Sequence, residues 1–137
     1  MYKFGSLSES RLVGVKPALV AVVRRALELS TVDFAVVEGL RTPQRQRELY
    51  AQGRETPGKI VTWTLLSKHI LGEAVDLAPW VGGKIDWMNS SNFGQIAVAM
   101  FAAADELDVK VRWGKDWNQN GVPGEKGEAD SPHWELA

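Results

Sequence analysis

The sequence predicts an α+β fold: a small, mainly antiparallel sheet with packed helices. Three observations lead there. Apolar residues recur at helical spacing in two separated stretches. Short strand-like runs stand between turns rich in Gly and Asn. Helices and strands are mixed without a regular βαβ alternation, which disfavours a parallel sheet. The chain has 137 residues, 45% apolar and 24% charged. That is a globular mixture of the size of one domain, 1–137, with enough core to fold without staples.

The elements follow in order. From Ser8 to Ser30, Leu12, Val15, Leu19, Val22, Val23, Ala26 and Leu27 keep helical spacing. Pro17 either splits this stretch or sits in the first turn of the main helix, where its missing N–H costs little. Asp33 to Val37 reads as a short buried strand. Thr42-Pro43 is a helix start, Thr as N-cap and Pro at the first helical position, with Gly53 as the stop. Arg54 to Leu66 reads as an irregular surface segment. Ala74 to Ala78 is a strand, and Val81-Gly82-Gly83-Lys84 a turn into Ile85-Asp86-Trp87. Gln95 to Leu107 is a second helix, with Ile96, Val98, Ala99, Met100 and Ala103 on its buried side. Lys110 to Trp113 is a strand, Gly114 to Ser131 a polar loop, and Pro132 to Leu136 a last strand.

Composition removes several function classes. Sixteen basic against seventeen acidic side chains give a net charge of −1, which argues against a nucleic-acid partner. The chain has no cysteine, which excludes disulfides, iron–sulfur clusters, thiolate-held zinc and thiol nucleophiles. Any metal must be held by His, Asp or Glu, and the histidines are His69 and His133 alone. No apolar run approaches the roughly 20 residues of a membrane helix, and the N-terminus lacks the apolar core of a secretion signal. Neither membrane insertion nor signal-directed export is expected.

His69 and Asp76 are separated by a glycine-containing turn and can point toward one spot. His133 lies near the C-terminus in Asp130-Ser131-Pro132-His133-Trp134-Glu135. Two imidazoles and one carboxylate, with a fourth position left to water, form a standard catalytic zinc shell. Asp130 is close enough in sequence to take a proton from that water without ligating the metal. The plainer alternatives are a buried or surface histidine and an Asx cap.

Ser67-x-His69-x-x-Gly72-x-Ala74-x-Asp76, followed by Asp130-x-x-His133-Trp134, resembles the signature of the D-Ala-D-Ala zinc peptidases of the VanX and VanY type, grouped with the hedgehog domain. The short length, Phe4-Gly5, the Arg24–Ser30 segment, Gly39-Leu40-Arg41-Thr42 and Gly83-Lys84-Ile85-Asp86-Trp87 resemble most the small phage L-alanyl-D-glutamate endolysins. The resemblance implies that His69, Asp76 and His133 hold zinc, that Asp130 is the general base, and that Arg41 binds the carbonyl oxygen or the developing oxyanion. Many relatives have Glu where this chain has Asp130, one methylene longer. Spacing alone allows Arg41 a structural ion pair with Glu38 or Glu48 instead. Ser67 serves either the site or its turn.

The implied function is hydrolysis of the L-alanyl-D-glutamate bond of peptidoglycan stem peptides, lysing the host. The enzyme is expected to act as a monomer, to accumulate in the host cytoplasm and to reach the wall when a holin opens the membrane. The alternatives are a D-Ala-D-Ala carboxypeptidase or dipeptidase, and a non-catalytic zinc-containing wall-binding module.

A second ion is a weaker expectation. Asp116-x-Asn118-x-Asn120-Gly121 matches the first half of a calcium loop, with Glu125 and Glu128 flanking the place of the closing ligand. A polar turn without an ion explains the same residues. Trp113 and Trp134 are expected in the core, and Trp63 and Trp80 along a substrate groove. Arg45, Arg47 and Arg54 read as a solvated face.

Overall fold

Pro17 divides the first apolar stretch in two. In the computed structural model, which describes residues 2–62, 65, 67–116, 118–124 and 130–137, helix α1 spans Ser6–Leu12 and helix α2 Pro17–Leu29. Pro17 takes the first helical position, where its fixed φ is already helical. Strand β1 is Phe34–Glu38. Helix α3, Pro43–Ala51, begins as expected, the Thr42 hydroxyl accepting the Arg45 N–H. Strand β2, Ala74–Val81, runs past the expected Ala78 and turns through Gly82 and Gly83, both at positive φ, into β3, Lys84–Ile85. Positive φ at both central residues suits a tight hairpin, and glycine adopts it without strain.

Helix α4, Ser90–Leu107, starts before the expected Gln95 because Asn89 caps it, accepting the Ser91 N–H. Strands β4, Val111–Trp113, and β5, His133–Leu136, complete the fold. The strands pair antiparallel in the order β1-β2-β5-β4, with β3 on β2. The α+β architecture is therefore as the sequence predicts.

Strand alternation gives the sheet two different faces. Phe34, Val36, Val75, Leu77, Val111, Trp113 and Trp134 enter a core that they share with Leu19, Val22, Val23 and Ala26 of α2 and Ile96, Ala99, Met100 and Ala103 of α4. Val98 does not join them; it is 67% exposed. Positions 96, 99, 100 and 103 keep the helical period, whereas 98 falls on the far side of the helix. Trp134 stacks on Trp113, with centroids 5.5 Å apart, and meets the edge of Phe101. This aromatic block backs the opposite face at β5. Helix α1 covers the edge of β1: Ser8 Oγ accepts the Val36 N–H, and Arg11 donates to the Val36 carbonyl. An edge so occupied is closed to another strand.

Candidate functional site

Register builds the site on the sheet's other face. Asp76 stands opposite His133, and Glu38 opposite Asp76. The Gly114 N–H donates to the His133 carbonyl at 2.8 Å, extending the row toward β4. Glu38 reaches this row through a bulge. Val36 pairs with Leu77 but Glu38 with Asp76, so β1 carries one extra residue there. Without it Glu38 would share the core face of Phe34 and Val36. A second row runs Ala74, Glu135, Arg112.

His69 arrives from a turn. The Ile70 N–H donates to the Ser67 carbonyl, and Ser67 Oγ accepts the His69 N–H, so Ser67 supports the turn. Gly72 closes it at φ +70°, and a Cβ there would lie 2.5 Å from the Gly14 carbonyl oxygen. The His69 carbonyl accepts the Arg41 N–H, and His69 Nδ1 lies 2.8 Å from the Gly39 carbonyl oxygen. A carbonyl only accepts, so Nδ1 carries the proton and Nε2 keeps its lone pair. His133 is the mirror case. Its Nε2 donates to Glu135 Oε1 at 2.8 Å, leaving Nδ1 toward Asp76.

His69 Nε2 and His133 Nδ1 lie 3.3 and 3.4 Å from Asp76 Oδ1. One ligand atom from each of the three residues lies within 4.8 Å of the others. Ligand bonds of about 2.0–2.1 Å in a tetrahedron put neighbouring ligands about 3.3–3.4 Å apart. The donor set and both Asp76 separations thus fit a tetrahedral divalent metal, with each imidazole oriented by an outer partner. Among the described residues this is the one metal-competent cluster of three or more such side chains.

Electrostatics follow from this packing. Burial opposes ionisation of Asp76, but His133 and His69 hold its carboxyl well below the usual range. Burial would lower His133, yet hydrogen bonds to Asp76 and Glu135 raise it to about 9 in the metal-free protein. Glu135 is lowered: burial is outweighed by His133 and Lys68. Asp130 is raised, through desolvation and then the charge of Asp76.

A cavity of about 670 Å³ opens over these residues, lined also by Glu38, Arg41, Lys68, Arg112 and Asp130. The Asp130 backbone carbonyl accepts the His133 N–H, while its side chain borders the cavity. Gly114 permits that approach, since a Cβ there would lie 2.4 Å from the Asp130 carbonyl oxygen. Arg41, its side chain 9% exposed, donates to both oxygens of Glu38 at 2.7 Å and to Gln46 Oε1 at 2.6 Å. Glu38 is therefore its ion-pair partner, and Glu48 pairs with Arg45.

The remaining residues singled out by the sequence fall in several places. Trp80 lies beyond Asp76 on β2 and lines a separate recess with Phe4, Phe34 and Ile85, away from the cavity. Trp63, Glu125 and Glu128 lie outside the described residues. Asp116 Oδ2 accepts the Gly121 N–H, and Asn118 and Asn120 accept backbone N–H groups two residues on, which is a run of Asx turns. Trp113 and Trp134 are buried, and Arg45, Arg47 and Arg54 exposed, as expected.

Glu135, Lys68 and Arg112 also line the cavity, beyond the residues that the sequence singles out. Glu135 carried a signal, because a residue two after His133 on a strand shares its face. Arg112 carried none, since only the β4–β5 pairing brings it opposite Glu135.

Comparison with known proteins identifies the family. Residues 1–137 match the family described as phage L-alanyl-D-glutamate peptidase. The L-alanyl-D-glutamate peptidase of Escherichia phage T5 is 42% identical over 141 residues, covering 98% of both chains. The peptidoglycan L-alanyl-D-glutamate endopeptidase CwlK of Bacillus subtilis (strain 168) is 32% identical over 110 residues, 77% of this chain and 61% of that one. The crystal structure of the Serratia marcescens L-Ala D-Glu endopeptidase ChiX superposes with a TM-score of 0.79 at 38% identity, over 98% of this chain and 90% of that chain. The chain belongs to the phage L-alanyl-D-glutamate peptidase family.

Proposed function

We propose that this protein is a zinc peptidase that hydrolyses the L-alanyl-D-glutamate bond of peptidoglycan stem peptides. One observation carries the chemistry: Asp76 Oδ1 meets His69 Nε2 and His133 Nδ1 at 3.3 and 3.4 Å. The family and its named relatives support the choice of bond over D-Ala-D-Ala cleavage and over a non-catalytic wall-binding module.

In this reading His69, Asp76 and His133 hold the ion. Zinc bound there supplies Lewis acidity and brings the pKa of water down to about 7. Asp130 takes a proton from the attacking water onto its carboxylate and returns it to the departing amide nitrogen. Arg41, held by Glu38 and Gln46, presents a fixed positive charge to the carbonyl oxygen as that oxygen gains charge. Glu135 and the Gly39 carbonyl keep the two imidazoles turned toward the ion. The enzyme works as a monomer, is made in the host cytoplasm and reaches the wall after a holin opens the membrane. Among the described residues no helix is long and apolar enough to cross a membrane.

The discriminating experiment is an Asp130→Ala protein assayed for zinc content and for stem-peptide cleavage. Full zinc with cleavage abolished is the expected result; full activity would remove Asp130 from the mechanism.

Asp116 Oδ1 favours a second cation, being buried with no hydrogen-bond partner among the described residues. In that reading Asp116 anchors calcium with Asn118, Asn120 and Glu125. A rise in melting temperature on adding Ca²⁺, lost in Asp116→Asn, is its test.

A further inference from the structure

We infer that Leu49 and Val61 form the acyl-side subsite of the cavity, the wall on which the methyl group of the L-alanyl residue rests. This rests on the peptidase reading above, including the place it gives Arg41 at the carbonyl oxygen, and deepens it.

Leu49 and Val61 are the apolar side chains among the cavity's described lining residues; the others are polar or charged. Neither belongs to the core that the helices share with the sheet. Val61 is 54% exposed and Leu49 half-buried, so carbon surface is left open to the cavity.

Hydrogen bonds tie this wall to Arg41. On α3, Leu49 follows Gln46 by three residues and shares its face. Gln46 is fully buried; its Oε1 accepts Arg41 Nη1 at 2.6 Å. Its Nε2 donates to Thr62 Oγ1 at 3.2 Å, directly beside Val61 in the chain. The wall is also fixed from behind. Arg54 Nη1 donates to the Thr62 carbonyl at 3.1 Å, and Gln52 Nε2 to the Lys59 carbonyl at 3.0 Å. Gly53 turns the chain back at φ +82°, where a Cβ would lie 2.8 Å from the Ile60 nitrogen.

The bond that names the family joins an apolar residue to a charged one. The glutamyl side carries carboxyl groups, so the alanyl methyl is the group that gains from a carbon surface. By ordinary bond lengths that methyl lies within about 4 Å of the alanyl carbonyl oxygen. With the oxygen at Arg41, the methyl is within reach of the wall that Gln46 joins to Arg41.

The test uses two soluble stem-peptide analogues, identical except that glycine replaces L-alanine in one. The zinc-loaded protein should cut the alanyl analogue at least about fourfold better in kcat/KM, the worth of one buried methyl group. In a Val61→Ser, Leu49→Ala double variant that preference should fall toward one, and Val61→Ile alone should keep it. The ratio is read within one protein, so a smaller folded fraction leaves it unchanged. As a readout apart from turnover, N-acetyl-L-alanine should compete with substrate more strongly than N-acetylglycine, and the double variant should level the two. Equal cutting of both analogues by the unsubstituted protein overturns the subsite. So does a double variant whose preference is undiminished. If the alanyl analogue is not cut at the alanyl-glutamyl bond, the peptidase reading itself fails, and the subsite with it.

Discussion

Asp76 and His133 face each other in register across β2 and β5, with Asp76 Oδ1 3.4 Å from His133 Nδ1. The metal cluster is therefore a property of strand pairing as much as of residue type. A slip of one residue would send His133 to the core face and Trp134 to the site. The Trp134–Trp113–Phe101 block opposes such a slip, because burying Trp134 is worth about 3–5 kcal/mol by the usual cost of truncating a core aromatic.

Zinc affinity should rise with pH. His133, at about 9 in the metal-free protein, is protonated at neutral pH and must lose that proton to bind the ion. Asp76 is already ionised there. Affinity should climb about tenfold per pH unit toward pH 9 and then flatten, with about one proton released per zinc at pH 7. Calorimetry in buffers of different ionisation enthalpy measures this directly. A pH-independent affinity between 6 and 8 contradicts it.

The metal-free fold should show the opposite slope. A histidine raised from 6.5 to about 9 stabilises the fold fully below pH 6.5 and loses that contribution as pH rises through 9. Melting temperature of chelated protein should fall across this window. At the acid end Asp76, depressed in the fold, gives up its own contribution as pH drops below the ordinary carboxylate range.

Glu135→Gln should weaken zinc binding by about 10- to 100-fold while leaving all three ligands in place, the usual cost of losing an outer-shell partner. Competition against a chromophoric chelator reads the change. Unaltered affinity would mean that Glu135 does not orient His133, despite their 2.8 Å contact.

Much of this site was legible in the chain because its chemistry is local. His69, Gly72 and Asp76 lie along one turn-then-strand path, and the structure shows why the glycine belongs there: positive φ and a 2.5 Å approach to Gly14. The helix starts at Thr42-Pro43 and Pro17 were equally local. The start of α4 was hidden because Gly94 interrupts its pattern ahead of Gln95, although Asn89 is an ordinary cap. Glu38 reaches the site through a bulge, and Arg112 through the pairing of β4 with β5. Both depend on register between distant segments, which composition and periodicity do not encode.

Two glycines should prove sensitive for steric reasons. A Cβ at Gly39 would lie 1.9 Å from the Arg11 carbonyl oxygen, and the Gly39 carbonyl holds His69. A Cβ at Gly114 would press on the Asp130 carbonyl oxygen at 2.4 Å. Gly39→Ala and Gly114→Ala should each cost about 1–3 kcal/mol, the range for overpacking, and both should lower zinc affinity. Gly82→Ala tests φ alone, because nothing lies within 4 Å of a Cβ there; it should lose some stability and keep its zinc. Chemical denaturation with parallel zinc titration separates the two effects.

The most direct measurement is mass spectrometry of purified stem peptides after incubation with chelated protein, and again after zinc is restored. The expected result is no cleavage without metal. With zinc, the products should be one fragment ending in L-alanine and one beginning with D-glutamate. Cleavage by fully chelated protein, or zinc-dependent cleavage only at a D-alanyl-D-alanine bond, would contradict the assignment.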